Sequence, residues 1–210
     1  MEIVLIVAKT HMQTGACIGG LTYSGKKSVR LLTERGLHYP EDTQFEVGQI
    51  WEMELRPKTS PVPPHIEDTY VCGERLIGQL ASVREMLLQL VQPWRGGPEV
   101  LFDGLLVMGK RAAYIGRKRE LPACSTGYWL PDRPLTLVYQ HGKPYYRIDD
   151  DFGRIRRFSQ GALHIHYGGF GMPVMHIRAQ TLVRVSLSRW WVGPDTDEER
   201  CYLQLSGWYR

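Results

Sequence analysis

No run in this 210-residue chain approaches the ~18 consecutive apolar residues of a membrane span, so no transmembrane helix is expected. The opening MEIVLIVAKT has no basic lead and no small-residue cleavage site. It is expected to be a strand rather than a signal peptide, which points to a cytoplasmic protein with no membrane partner. Cysteine is scarce. Cys17, Cys72, Cys124 and Cys201 lie far apart and form no CxxC pair, which argues against a zinc ribbon. In a reducing compartment they would serve as small apolar residues.

Catalytic signatures are missing too. There is no GxSxG nucleophile elbow, and no Ser or Cys sits in a recognisable nucleophilic setting. Gly25-Lys26-Lys27 lacks both the preceding glycine and the following Ser/Thr of a phosphate-binding loop. Gly168-Gly169-Phe170-Gly171 runs into Met172-Pro173 rather than a helix start, so no helix dipole waits there for a phosphate. No cofactor is expected. Repeats of fixed period and low-complexity tracts are absent.

Helix is also rare. Only residues 74–92 carry a helical pattern, with Leu76, Ile77, Leu80, Val83, Leu87, Leu90 and Val91 at three- and four-residue spacing and Pro93 as the stop. Such a helix needs its apolar stripe buried against a sheet or barrel end.

What remains is strand. EIVLIVA at residues 2–8 is a buried-strand pattern, and Gly19 and Gly20 inside the next run mark a bulge, a bend or a close backbone approach. Residues 47–56 alternate between apolar and polar, and Pro57, Pro61, Pro63 and Pro64 make the following stretch an extended crossing. Residues 69–72 are expected to be a short strand closing this unit. The dense Gly and Pro of residues 94–98 suit a boundary. Beyond it, residues 135–140 and 145–149 bracket the turn HGKP, and residues 181–192 and 201–209 form a closing hairpin. In that hairpin Val183, Val185 and Leu187 alternate with Arg184, Ser186, Ser188 and Trp190. The expected fold is mainly β, with two tandem barrel-like units and one amphipathic helix between or packed on them. Residues 1–95 would form the first unit with the helix, and residues 96–210 the second.

Charge is uneven between the two halves of the chain. Residues 1–104 hold ten Lys/Arg against thirteen Asp/Glu (net −3), and residues 105–210 hold sixteen against nine (net +7), summing to the chain's +4. The basic half interleaves cations with aromatics. Lys110, Arg111, Arg117, Lys118 and Arg119 surround Tyr114, and Arg154, Arg156 and Arg157 sit beside Phe158. Cations of this kind neutralise phosphates, and aromatic rings take stacked bases. Arg184 and Trp190 are candidates for the floor of such a groove. A solvated basic surface with its aromatics turned inward fits the same pattern. His164 and His166 share a strand face and, with His176 or Asp149, could hold a metal; paired surface or core histidines are the plainer reading. The acidic triplet Asp149, Asp150 and Asp151 suits a solvated turn. Pro64-His65 with Glu67 and Asp68 suits either a polar loop or a partner contact.

Two regions resemble a known family. VLIVAKTHMQTGACIGGL, SVRLL and PPHIEDTYV in the first half, with VRVSLSRWW and RCYLQLSGWY at the end, resemble the bacterial family of dual OB-containing domain proteins. The resemblance implies two OB-like barrels in tandem. The chain is also similar to families predicted to act on nucleic acid beside larger enzymes, with phage or mobile-DNA defence as the implied setting. No catalytic motif comes with the resemblance. Two features depart from the template: the second unit has more than five strand-like runs, and the helix follows the first unit's last strand.

The leading expectation is a non-enzymatic accessory protein that binds nucleic acid without base-specific readout and docks a larger partner protein. The alternatives are a protein–protein adaptor without nucleic-acid contact and a small metal-dependent hydrolase or nuclease using His164 and His166.

Overall fold

The computed structural model describes residues 1–12, 14–109, 112–148, 162–194 and 196–210. It divides into two compact units, Met1–Gln92 with Tyr209–Arg210, and Pro93–Trp208. The fold is mainly β.

The first unit is a closed barrel of five strands: β1 (Glu2–Met12), β2 (Gly15–Thr22), β3 (Ser28–Leu32), β4 (Gln49–Pro57) and β5 (Asp68–Gln79). The order around it is β1-β2-β3-β5-β4, with β4 returning to β1. All neighbours are antiparallel except β3 and β5, which run parallel. This is the five-stranded Greek-key closure of OB barrels. The apolar run of β1 forms its spine, with Val4, Leu5, Ile6, Val7 and Ala8 all buried. Gly20 is where β2 passes closest to it: a Cβ there would lie 2.6 Å from a Val4 methyl. The pairing also shifts between Ile6 and Ala8, so bulge and close approach occur together. Tyr39, Phe45 and Trp51 pack edge-on, at 4.9 and 4.8 Å between successive ring centroids. Tyr209 belongs to this unit and donates its hydroxyl to the Val7 carbonyl.

One expectation fails here. Residues 74–79 are strand, and the helix α1 (Val83–Leu90) is confined to eight residues. The pairing of β5 with β4 explains it, because Glu74 lies opposite Met53, Arg75 opposite Glu52 and Gly78 opposite Ile50. Those ladder bonds and the Arg75–Glu52 ion pair at 2.6 Å outweigh a helical periodicity that Gly78 already weakened. Leu76 and Ile77, read as part of a buried stripe, are exposed, and Leu87 is the one α1 residue fully buried.

The second unit opens with β6 (Trp94–Gly96), a 3-10 segment (Pro98–Gly104), β7 (Val107–Met108) and β8 (Ala113–Gly116). Then follow β9 (Thr126–Pro131), β10 (Leu135–Gln140), β11 (Lys143–Ile148), β12 (Leu163–Tyr167), β13 (His176–Ile177), β14 (Leu182–Leu187), β15 (Trp191–Val192) and β16 (Glu199–Tyr209), the last leaving the unit at Trp208. Its main path runs β10-β11-β12-β16-β14-β9. Only residues 132–134 separate β9 from β10, so the two are halves of one bent first strand, broken between Pro131 and Pro134. Counted so, the order repeats that of the first unit, and the third strand again runs parallel to the fifth (β12 with β16). The surplus strands are additions: β6 and β13 extend the sheet, and β7, β8 and β15 attach beside it. The core gathers Leu101, Phe102, Trp129, Tyr146, Ile165 and Val185.

Candidate nucleic-acid interface

The attached strands position the aromatic and basic residues. The first part of β16 is flanked by β8, with Tyr114 opposite Tyr202, and by β15, with Trp191 opposite Arg200. Alternation turns Ala113, Ile115, Cys201 and Leu203 into the core. It leaves Tyr114, Arg200, Tyr202 and Trp191 together on the other face. Tyr202 is central, with ring centroids 5.8 Å from Tyr114 and 5.9 Å from Trp191. The Arg200 guanidinium lies 4.1 Å from the centre of the Tyr114 ring. Arg117 covers Trp190 at 5.1 Å, and Trp190 packs partly against the core.

Of the residues singled out from sequence, Tyr114, Arg117, Lys118, Arg119 and Trp190 fall on β8, the turn after it, or the approach to β15. Arg117 and Arg200 are each held by a glutamate, Glu199 at 3.0 Å and Glu198 at 2.9 Å. Lys118 and Arg119 are exposed and make no side-chain ion pair among the described residues. Lys110, Arg111, Arg154, Arg156, Arg157 and Phe158 lie outside the described residues, as does Asp149. Arg184 is not at this surface. It is 5% exposed, its guanidinium donates to the Ser206 hydroxyl at 3.0 Å, and that hydroxyl donates back to the Arg184 carbonyl at 3.1 Å. Burial pushes the neighbouring Tyr128 phenol up to about 12, against the pull of the Arg184 charge.

Tyr202, Arg200 and Trp191 were missed as site residues. Their signal was present in the alternation of RCYLQLSGWY, which sets Arg200 and Tyr202 opposite Cys201 and Leu203. The pairing of β16 with β8, distant in sequence, was not legible.

His164 and His166 stand on the outer face of β12, opposite Arg147 and Tyr145 of β11. The Tyr145 and His166 rings meet edge-on at 5.2 Å. Burial, with a smaller push from Lys143, holds the His166 imidazole below its ordinary value. Among the described residues no group of three or more His, Cys, Asp or Glu is arranged to hold a metal. No helix among them is long and apolar enough to cross a membrane.

The family model for the dual OB-containing domain matches residues 1–208. The chain belongs to this family. No curated protein matches it. Two solved structures are similar to this dual OB chain at low identity. A HINb domain is 12% identical over 97% of this chain and 95% of its own, with a TM-score of 0.34. A murine DNA-binding protein bound to double-stranded DNA is 8% identical over 97% and 91%, with a TM-score of 0.32. Likenesses this distant do not identify a ligand.

The two OB units differ on the face that OB barrels use for oligonucleotides, their second and third strands with the loops beside them. In the first unit, β2 and β3 contain no exposed residue, and their one cation, Arg30, is buried against Asp68. In the second unit the corresponding β11 and β12 present Lys143, Tyr145, Arg147, His164 and His166, all exposed or half-buried. The loop between its fourth and fifth strands holds β15 and leads into the aromatic cluster.

Proposed function

We propose that this protein binds nucleic acid through its second OB unit, without catalysis and without reading base sequence. The observation that carries this is the gathering of Tyr114, Trp190, Trp191 and Tyr202 with Arg117, Lys118, Arg119 and Arg200 around the loop between the unit's fourth and fifth strands. In an OB barrel that loop lies beside the ligand groove. Phosphates would be held by Lys118 and Arg119, which are exposed and make no side-chain ion pair among the described residues, and bases would meet the aromatic rings.

The reading assigns residues 96–210 to nucleic acid. Residues 1–95, near neutral and with no exposed residue on β2 and β3, would dock the larger nucleic-acid-processing assembly it serves, in a phage-defence setting. Fluorescence anisotropy with a labelled oligonucleotide tests the reading. Lys118→Glu with Arg119→Glu should weaken binding at least ten-fold at low salt and flatten its salt dependence, each lost phosphate contact taking roughly 0.7–0.9 from the log–log slope. Absence of binding by the unaltered protein at low salt would favour the adaptor function instead.

A further inference from the structure

Of the four aromatic residues in the cluster, Tyr114 and Trp190 each have a ring covered by an arginine, at 4.1 and 5.1 Å. A base could stack on either only after displacing that guanidinium. Tyr202 sits between two other rings. Trp191 differs. It is 54% exposed, and Val192 beside it is 48% exposed. Of the four rings it is the one left exposed, and so the one available for a contact without displacing a neighbour. Trp191 is also held in place. Its β15 backbone pairs with Arg200 on β16, its ring meets Tyr202 at 5.9 Å, and Gly193 lies beneath it. A Cβ on Gly193 would come 3.2 Å from the indole Cζ3, so the ring packs close over this glycine.

We propose that Trp191 is a stacking platform for an unpaired base, and that the surface therefore prefers single-stranded over duplex nucleic acid. This rests on the reading of the second unit as a nucleic-acid binder. In a duplex each base face is already stacked on its neighbours, and exposing one costs a few kcal/mol. In a single strand the face is available, and the aromatic contact is tolerant of sequence because every base has a π-face. Lys118 and Arg119 follow β8, on the opposite edge of β16 from β15. A strand crossing β16 would therefore meet an indole on one side and two exposed cations on the other.

The test compares a labelled oligothymidine with a hairpin duplex of equal length, using the full chain. The unaltered protein should bind the single strand more tightly. Trp191→Ala should lower single-strand affinity about five- to a hundred-fold and leave duplex affinity unchanged. Trp191→Phe should keep most of the affinity, and it covers the case in which the alanine variant loses its fold. Single-strand affinity within about two-fold of the parent in a folded Trp191→Ala protein overturns the platform. Salt-dependent binding with no strand preference and no effect of either variant overturns it too, while leaving the nucleic-acid reading intact. Failure of both probes to bind at low salt overturns both.

Discussion

Arg184 and Lys118 show how far a cation's role depends on what lies across the sheet from it. Lys118 stands exposed in the turn after β8, whereas Arg184 points inward from β14 to Ser206. Charge reversal separates them. Arg184→Glu would place an anion in a buried site beside Tyr128, and should cost about 3–5 kcal/mol of unfolding free energy in a urea titration. Lys118→Glu should leave the urea midpoint nearly unchanged and act on ligand affinity alone. His166 supplies a second residue-scale prediction. Its folded pKa is held below the ordinary value by burial, then by Lys143. As pH falls past about 6.5 the unfolded chain therefore takes up the proton first. Stability should decline from there until the lower folded pKa is passed. Urea midpoints at about pH 7.5 and 5.5 should differ less in His166→Gln than in the parent.

At the scale of elements, strand existence was legible and strand partnership was not. The apolar run of β1, the hairpin of β10 with β11 and the alternation of β14 are each written in a few consecutive residues. Residues 74–79 carry two patterns at once. The three- and four-residue spacing of Leu76, Ile77 and Leu80 suits a helix, but Arg75 and Gly78 suit a ladder with Glu52 and Ile50. Only the presence of β4 decides between them. The same holds for the candidate interface. Tyr114 was recognisable from its basic neighbours, but Tyr202, almost ninety residues later, joins it only through β-pairing. The parallel junction of β3 and β5 has its own device, the buried Arg30–Asp68 ion pair with Lys58 3.8 Å from the second carboxylate oxygen. Asp68→Ala would strand the Arg30 charge at that seam and should destabilise the first unit by about 3–5 kcal/mol. Leu87→Ala, at the one fully buried position of α1, should cost about 2–5 kcal/mol. Chemical denaturation followed by circular dichroism measures both.

For the whole molecule, one strand order serves two different surfaces. Five strands in the order first-second-third-fifth-fourth recur in each unit, and two of the additions to the second, β8 and β15, flank the start of β16 where the aromatic cluster forms. The first unit is near neutral, with ten Lys/Arg against eleven Asp/Glu in residues 1–95, and its β2–β3 strands hold no exposed residue; the second is basic, sixteen against eleven in residues 96–210, and its β11–β12 strands carry Lys143, Tyr145, Arg147, His164 and His166. That contrast fits the proposal that nucleic acid binds the second unit. The central claim is electrostatic association of the second unit with a phosphate backbone. It is tested most directly by measuring the affinity of the intact protein for a labelled single-stranded oligonucleotide across a range of salt concentrations. Binding should appear at low salt, with a log affinity that falls linearly with log salt at about 0.7 per phosphate contacted. Affinity independent of salt, or no binding at the lowest salt, would contradict it.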